Sequence, residues 1–164
     1  MILLESLTTQ RQEESHAQRR GAFTHYHTAF AMPTLRALIV DNFADFRRYL
    51  CSMLQRKTQC QVVGQASDGL EAVAKAEELQ PDLILLDLSL PLLNGMEAAR
   101  RIRELSSHSK ILFLSQDSSA EIVEEALRLG AQGYLLKSEA TELPLAVDAI
   151  TQGTWFVSRR LRRP

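Results

Sequence analysis

Four places in the chain set a reactive side chain directly after a run of apolar residues: Asp41 with Asn42 beside it, then Asp87, Ser115 and Lys137. The runs are LRALIV, LILL, ILFL and YLL. Together these places offer two carboxylates, an amide, a hydroxyl and an ammonium. Carboxylates can act as nucleophiles and as ligands for hard cations. A lysine ammonium is a compact point charge suited to anionic oxygens. Taken singly, each residue has a plainer reading: an Asp after a strand commonly caps a helix, and a Lys there is commonly a solvated charge. Asp87 poses the sharpest question. It ends the stretch PDLILLD, and LSLPLLNG follows at once. Burying an unpaired carboxylate is expensive, so Asp87 must reach solvent at a strand tip or meet a cation there.

The elements that must position these residues follow from the hydrophobic pattern. Apolar runs alternate with helical-period segments from Leu35 onward. LRALIV precedes a helix from about Asn42 to Arg56, and QVVGQA precedes one over Gly69 to Leu79. DLILLD leads to a helix over Gly95 to Leu105, KILFLS to one over Ser119 to Leu129, and QGYLLK to one over Thr141 to Thr151. Five β-then-α units with continuously apolar strands predict an α/β fold, a five-stranded parallel sheet with helices on both faces. Phe43, Phe46, Leu50 and Leu54 fall on one helical face. Ser118 or Ser119 can cap the fourth helix, Gly130 suits its C′ position, and Pro144 is tolerated in the first turn of the fifth. Cys51 falls in a helical pattern and Cys60 in a loop. All four reactive places then lie at the carboxyl ends of parallel strands, the edge where open α/β sheets bind ligands. Such a coincidence is hard to assign to capping alone.

The order Asp41-Asn42, Asp87, Ser115, Lys137 resembles the receiver domain of bacterial two-component response regulators. The motifs VDNF, SDGLEA, LLDLSLPLLNG, LSQDSS and GYLLKS carry the resemblance, over about residues 35–157. It is closest to the helix-turn-helix transcription-regulator branch (NarL/LuxR-like), because LLKSEATELPLAVDAITQGTWF looks like the last helix of those receivers. The resemblance implies a flavodoxin-like (βα)5 fold with strand order 2-1-3-4-5. It implies that Asp87 is phosphorylated by a sensor histidine kinase and that Lys137 pairs with a phosphoryl oxygen. It implies a hydroxyl hydrogen bond from Ser115 to another oxygen and a switch movement of Ser115 followed by Tyr134. Mg2+ would be held by Asp87, one member of the Asp41/Asn42 pair, and the Ser89 carbonyl. The chain would be a phosphoacceptor signalling domain rather than an enzyme of turnover, in the cytoplasm, with a homodimer possible. The sequence departs from the family at three points. Asn42 stands where a second acid is usual, Ser138 where many receivers have proline, and Gln116 where a small residue is common. The Asn42 departure keeps open a second reading, a pseudo-receiver acting as an interaction module without phosphorylation. A phosphatase of the haloacid dehalogenase type also uses a strand-end Asp, but it needs a second Asp two residues on, and position 89 is Ser.

The bulk numbers fit this reading. A net charge of −1 over 164 residues gives no global attraction to nucleic acid or membrane. No apolar run approaches the roughly 18 residues of a membrane span. Two cysteines without an export signal imply free thiols. Residues 1–33 read as an N-terminal extension: QRQEESHAQRR is polar, and His25-Tyr26-His27 lacks further ligands spaced to complete a metal shell. Met32 is expected to be an alternative start, and residues 1–31 are expected to be dispensable for folding. The receiver is expected over 34–157, with 158–164 a basic tail or linker stub. With no output domain after it, direct nucleic-acid binding by the chain is not expected.

Overall fold

A computed structural model describes residues 34–162; the expectations for residues 1–33 and for the last two residues lie outside them. Five strands alternate with five helices in chain order. They are β1 (Leu35–Val40), α1 (Ala44–Lys57), β2 (Cys60–Ala66), α2 (Gly69–Leu79), β3 (Leu83–Asp87), α3 (Gly95–Leu105), β4 (Lys110–Ser115), α4 (Ala120–Arg128), β5 (Gly133–Leu136) and α5 (Leu143–Thr151). A short 3-10 turn, Lys137–Glu142, separates β5 from α5. A sixth strand, β6 (Phe156–Val157), and a second 3-10 turn, Arg159–Arg162, follow. The sheet order is β2-β1-β3-β4-β5-β6, and every pairing is parallel. The expected order therefore holds, with one strand more than the sequence pattern gave.

The inner strands are mostly apolar because both of their faces are covered, whereas the edge strand β2 carries exposed Gln61 and Gln65. All five residues of β3 and all four of β5 are buried. Alternation along each strand sorts the core into two layers. Leu38, Val40, Ile84, Leu86, Ile111, Phe113, Tyr134 and Leu136 pack with Ala72, Ala76, Ala98, Ala99, Ile102 and Ala126, residues of α2, α3 and α4. Ala37, Ile39, Leu83, Leu85, Leu112, Leu114 and Leu135 pack with Leu50 and Leu54 of α1 and with Leu143, Ala146, Val147 and Ile150 of α5. Truncating one of these leucines to alanine costs about 2–5 kcal/mol.

Continuing that alternation one step past the strand ends fixes where the reactive residues point. Asp41 follows Ile39, Asp87 follows Leu85 and Lys137 follows Leu135, so all three face α1 and α5. Ser115 follows Phe113 and faces α3 and α4, the side on which Tyr134 is buried.

Several local expectations need correction. Helix α1 begins at Ala44, so Phe43 is its N-cap and 59% exposed, while Leu50 and Leu54 are the buried anchors. Cys60 is buried and opens β2 instead of lying in a loop. Ser119 sits at the N-cap of α4 but makes no side-chain cap; Asp117 Oδ1 accepts the Ser119 N–H instead, at 2.7 Å. Regular α5 starts at Leu143, after the 3-10 turn, with Pro144 in its first turn. Gly130 has φ +86°, as the end of α4 requires.

Candidate functional site

Three side chains meet at the carboxyl edge. Asp41 is 0% and Asp87 1% exposed, and Lys137 lies between them. The Lys137 ammonium is 2.6 Å from Asp41 Oδ2 and 2.9 Å from Asp87 Oδ2. These are ion-pair distances, yet neither oxygen has a hydrogen bond of acceptable geometry. Both oxygens are thus ion-paired with one ammonium, and each carboxylate oxygen has a further lone pair to offer. The other oxygens are held by the backbone: Asp41 Oδ1 accepts the Phe43 N–H at 2.8 Å and Asp87 Oδ1 the Ser89 N–H at 3.1 Å. Each carboxylate is thus fixed by one oxygen and offers the other.

The loop after β3 is shaped by close backbone approach. A Cβ on Gly95 would come within 2.2 Å of the Asp87 carbonyl oxygen, so only glycine lets α3 start there. Gly95 N–H donates to the Leu88 carbonyl, and Asn94 caps α3 by accepting the Glu97 N–H at 2.9 Å. Leu92, with φ +65°, makes the turn between them and is 78% exposed. A leucine in that conformation is strained by about 1–3 kcal/mol.

Ser115 is buried, and its Oγ accepts the Asp117 N–H at 2.9 Å. It lines an open groove of about 420 Å³ together with Ser89, Asn94, Met96 and Asp117. Tyr134 is the second residue of the expected switch. It is fully buried, and its hydroxyl donates to the Asp117 carbonyl at 2.9 Å. Burial pushes its phenol pKa up, and the hydrogen bond with Ser115 opposes that. A larger groove of about 630 Å³, between α3 and α4, contains none of the candidate residues; its Arg100 and Arg128 pair with Glu125 and Glu124.

Asn42 is exposed at the mouth of the site. Among the described residues no three His, Cys, Asp or Glu side chains cluster as metal ligands. The free oxygens of Asp41 and Asp87 are still the donor type a hard divalent cation takes. The donor set fits magnesium if neutral oxygens, such as the Asn42 amide or the Ser89 carbonyl, complete it.

Sequence reasoning missed two contributors. The rings of Phe43 and Phe46 lie over the Lys137 ammonium, 5.8 and 5.2 Å from their centroids. Asp117 acts through its main chain, which no motif of side chains signals.

Comparison with known proteins agrees with this arrangement. The family model for the response regulator receiver domain matches residues 37–148. The Escherichia coli nitrate/nitrite response regulator protein NarL is 37% identical over 125 residues, 76% of this chain and 58% of that protein. A protein-glutamate methylesterase/protein-glutamine glutaminase of Methanospirillum hungatei is 41% identical over 105 residues, 63% of this chain but only 31% of that protein. A crystal structure of a LuxR-family two-component response regulator from an Aurantimonas species superposes with a TM-score of 0.74 at 32% identity, covering 78% of this chain and 92% of that one. The chain spans from about a third to three-fifths of the length of these two curated relatives. The chain belongs to the response regulator receiver-domain family, among NarL/LuxR-type relatives.

Proposed function

We propose that Asp87 accepts a phosphoryl group from a phosphohistidine of a sensor kinase, and that the domain then signals through a changed surface. The observation that carries this is the buried Oδ2 of Asp87, which no backbone N–H holds and which lies 2.9 Å from the Lys137 ammonium. Asp87 Oδ2 attacks phosphorus, the P–N bond to the donor imidazole breaks, and the imidazole leaves as the neutral ring once it has a proton. The transition state spreads negative charge over three equatorial oxygens, so the protein's task is positioning and neutralisation. Lys137 supplies one positive charge and is already in place. Ser115 donates its hydroxyl hydrogen to a second oxygen, giving up its hydrogen bond with Tyr134. Magnesium, held by Asp41 and Asp87 with the Ser89 carbonyl or the Asn42 amide, would supply further neutralising charge. The phosphoryl group adds nearly two negative charges next to buried residues. Ser115 then moves toward it, and the Tyr134 hydroxyl, tied to the same loop through Asp117, follows. The kinase partner, the cytoplasmic location and self-association belong to this reading.

Incubation with acetyl phosphate and magnesium should add one phosphoryl mass to the wild-type protein and none to Asp87→Asn. A wild-type protein that stays unmodified while an ordinary receiver is labelled would favour the pseudo-receiver reading, to which the neutral Asn42 points.

A further inference from the structure

The Lys137 ammonium is enclosed on three sides, and only two of them are carboxylates. The third is aromatic: Phe43 and Phe46 present their rings at 5.8 and 5.2 Å. The fold does not need both rings for its core. Phe43 is 59% exposed, and the buried anchors of α1 are Leu50 and Leu54. Yet the Lys137 side chain is only 11% exposed. The rings therefore stand where water would otherwise solvate the ammonium. A cation within about 6 Å of an aromatic face is attracted by the ring quadrupole, and more strongly when it is desolvated. Phe43 is also tied to the site through its backbone, because its N–H holds Asp41 Oδ1 at 2.8 Å. Phe46 is braced in turn by a stack on Tyr49, with centroids 6.0 Å apart.

We infer that Phe43 and Phe46 are positioning residues for Lys137. They keep the ammonium dry and aimed at Asp87, and they shield the α1 side of the carboxylates from water. The inference rests on the phosphoacceptor reading of Asp87 and adds the residues that prepare its counter-ion. Neither ring touches the incoming donor in this scheme. Their loss should therefore lower the limiting rate of phosphorylation and leave the half-saturating donor concentration unchanged. The phosphorylated state should also hydrolyse faster, since water gains an approach.

The test uses Phe43→Leu, Phe46→Leu and the double variant, which keep apolar volume, with Phe46→Tyr as the conservative rescue. Two readouts are taken. The first is the ring-current shift of the Lys137 ε-methylene protons in metal-free protein, by NMR. The second is the rate of acetyl phosphate labelling across donor concentrations. The wild type should show upfield ε-protons. The double variant should lose that shift and label about five-fold more slowly at saturation, the factor matching a cation–π contact of ordinary strength. Phe46→Tyr should keep both properties. Unshifted Lys137 protons in the wild type, or a double variant that labels at the wild-type rate, would overturn the inference. If the double variant does not fold, Phe43→Leu alone decides, because that ring is mostly exposed. If no variant and no wild type is labelled, the phosphoacceptor reading fails instead, and the ring-current shift alone decides whether the rings hold the lysine.

Discussion

At the amino ends of the strands, polar residues close on one another. Asp82 accepts the Arg36 N–H at 2.8 Å, and the Arg36 guanidinium donates to the Gln80 carbonyl at 3.0 Å. Ser109 donates to the Pro81 carbonyl, and its hydroxyl lies 2.7 Å from that of Ser106. The Lys110 ammonium donates to the Ile150 carbonyl at 2.8 Å, and Gln132 Oε1 accepts the Ile111 N–H, also at 2.8 Å. The carboxyl ends differ. Among the described residues, the two buried side-chain oxygens that have no hydrogen-bond partner are Asp41 Oδ2 and Asp87 Oδ2. Satisfied polar groups at one end fix where the strands begin. At the other end these two oxygens are held by the Lys137 ion pair alone, which a ligand can share. Buried polar atoms normally have hydrogen-bond partners, so the two mark the working end of the sheet.

The largest way to break this comparison is to remove Lys137, the cation paired with both carboxylates at the working end. Lys137→Met leaves Asp41 and Asp87 buried face to face, and losing one partner of a buried ion pair costs about 3–5 kcal/mol. Metal-free melting should drop by roughly 10 °C or more, and adding Asp87→Asn should recover part of the loss. An unchanged melting temperature would mean that the carboxylates are not electrostatically strained against each other. At the amino end, Ser109→Ala strips the Pro81 carbonyl of its donor and Ser106 of its neighbour. The cost should be about 1–3 kcal/mol in denaturant melts, with acetyl phosphate labelling at the wild-type rate. Slower labelling would show that the two ends are coupled.

Asn42→Asp sharpens the contrast in the other direction. A third carboxylate should tighten magnesium binding, by at most about tenfold because position 42 is exposed and screened, and should slightly lower metal-free stability. Titration calorimetry reads the first effect and a melt the second; unchanged affinity would place Asn42 outside the ion's reach. The smallest effect belongs to Glu71, in the first turn of α2 beside the carboxyl end of the outer strand β2. The Lys75 ammonium and then the Ser67 N–H hold its carboxyl below the usual glutamate value. A lowered folded pKa contributes stability that is present above the unfolded value and lost as pH falls through the folded one. Below the ordinary glutamate range the wild type should therefore lose slightly more stability than Glu71→Gln. The difference is small because the pair is partly exposed.

Much of the working end was legible in the sequence because strand ends are legible. An apolar run that stops on Asp87 or Lys137 places that residue at the edge, and alternation from Leu85 and Leu135 even gives the face. The satisfied end was not legible. Ser106, Ser109 and Gln132 are ordinary residues whose partners lie 3 to 28 positions away. Phe43 and Phe46 share a helical spacing with Leu50 and Leu54, and Phe46 does pack against the core. Only the start of α1 at Ala44 turns Phe43 outward over Lys137. Strand β6 escaped notice because two residues carry no period.

That short strand also bears on what the chain does in company. The outer edge of β5 is apolar and would present open backbone groups. Instead, β6 pairs with Gly133 and Tyr134, the Ser158 N–H donates to the Tyr134 carbonyl at 3.0 Å, and Ser158 Oγ accepts the Leu136 N–H at 2.9 Å. Leu161 then packs onto the core below. A foreign strand cannot add there without first peeling off residues 156–158. The opposite edge, β2, pairs with β1 through a break in register between Ala37 and Leu38, an irregularity of the kind that discourages edge-to-edge growth. Trimming the chain back to Thr151 would expose the Gly133–Leu136 edge and turn a well-behaved domain into one prone to aggregate through β5.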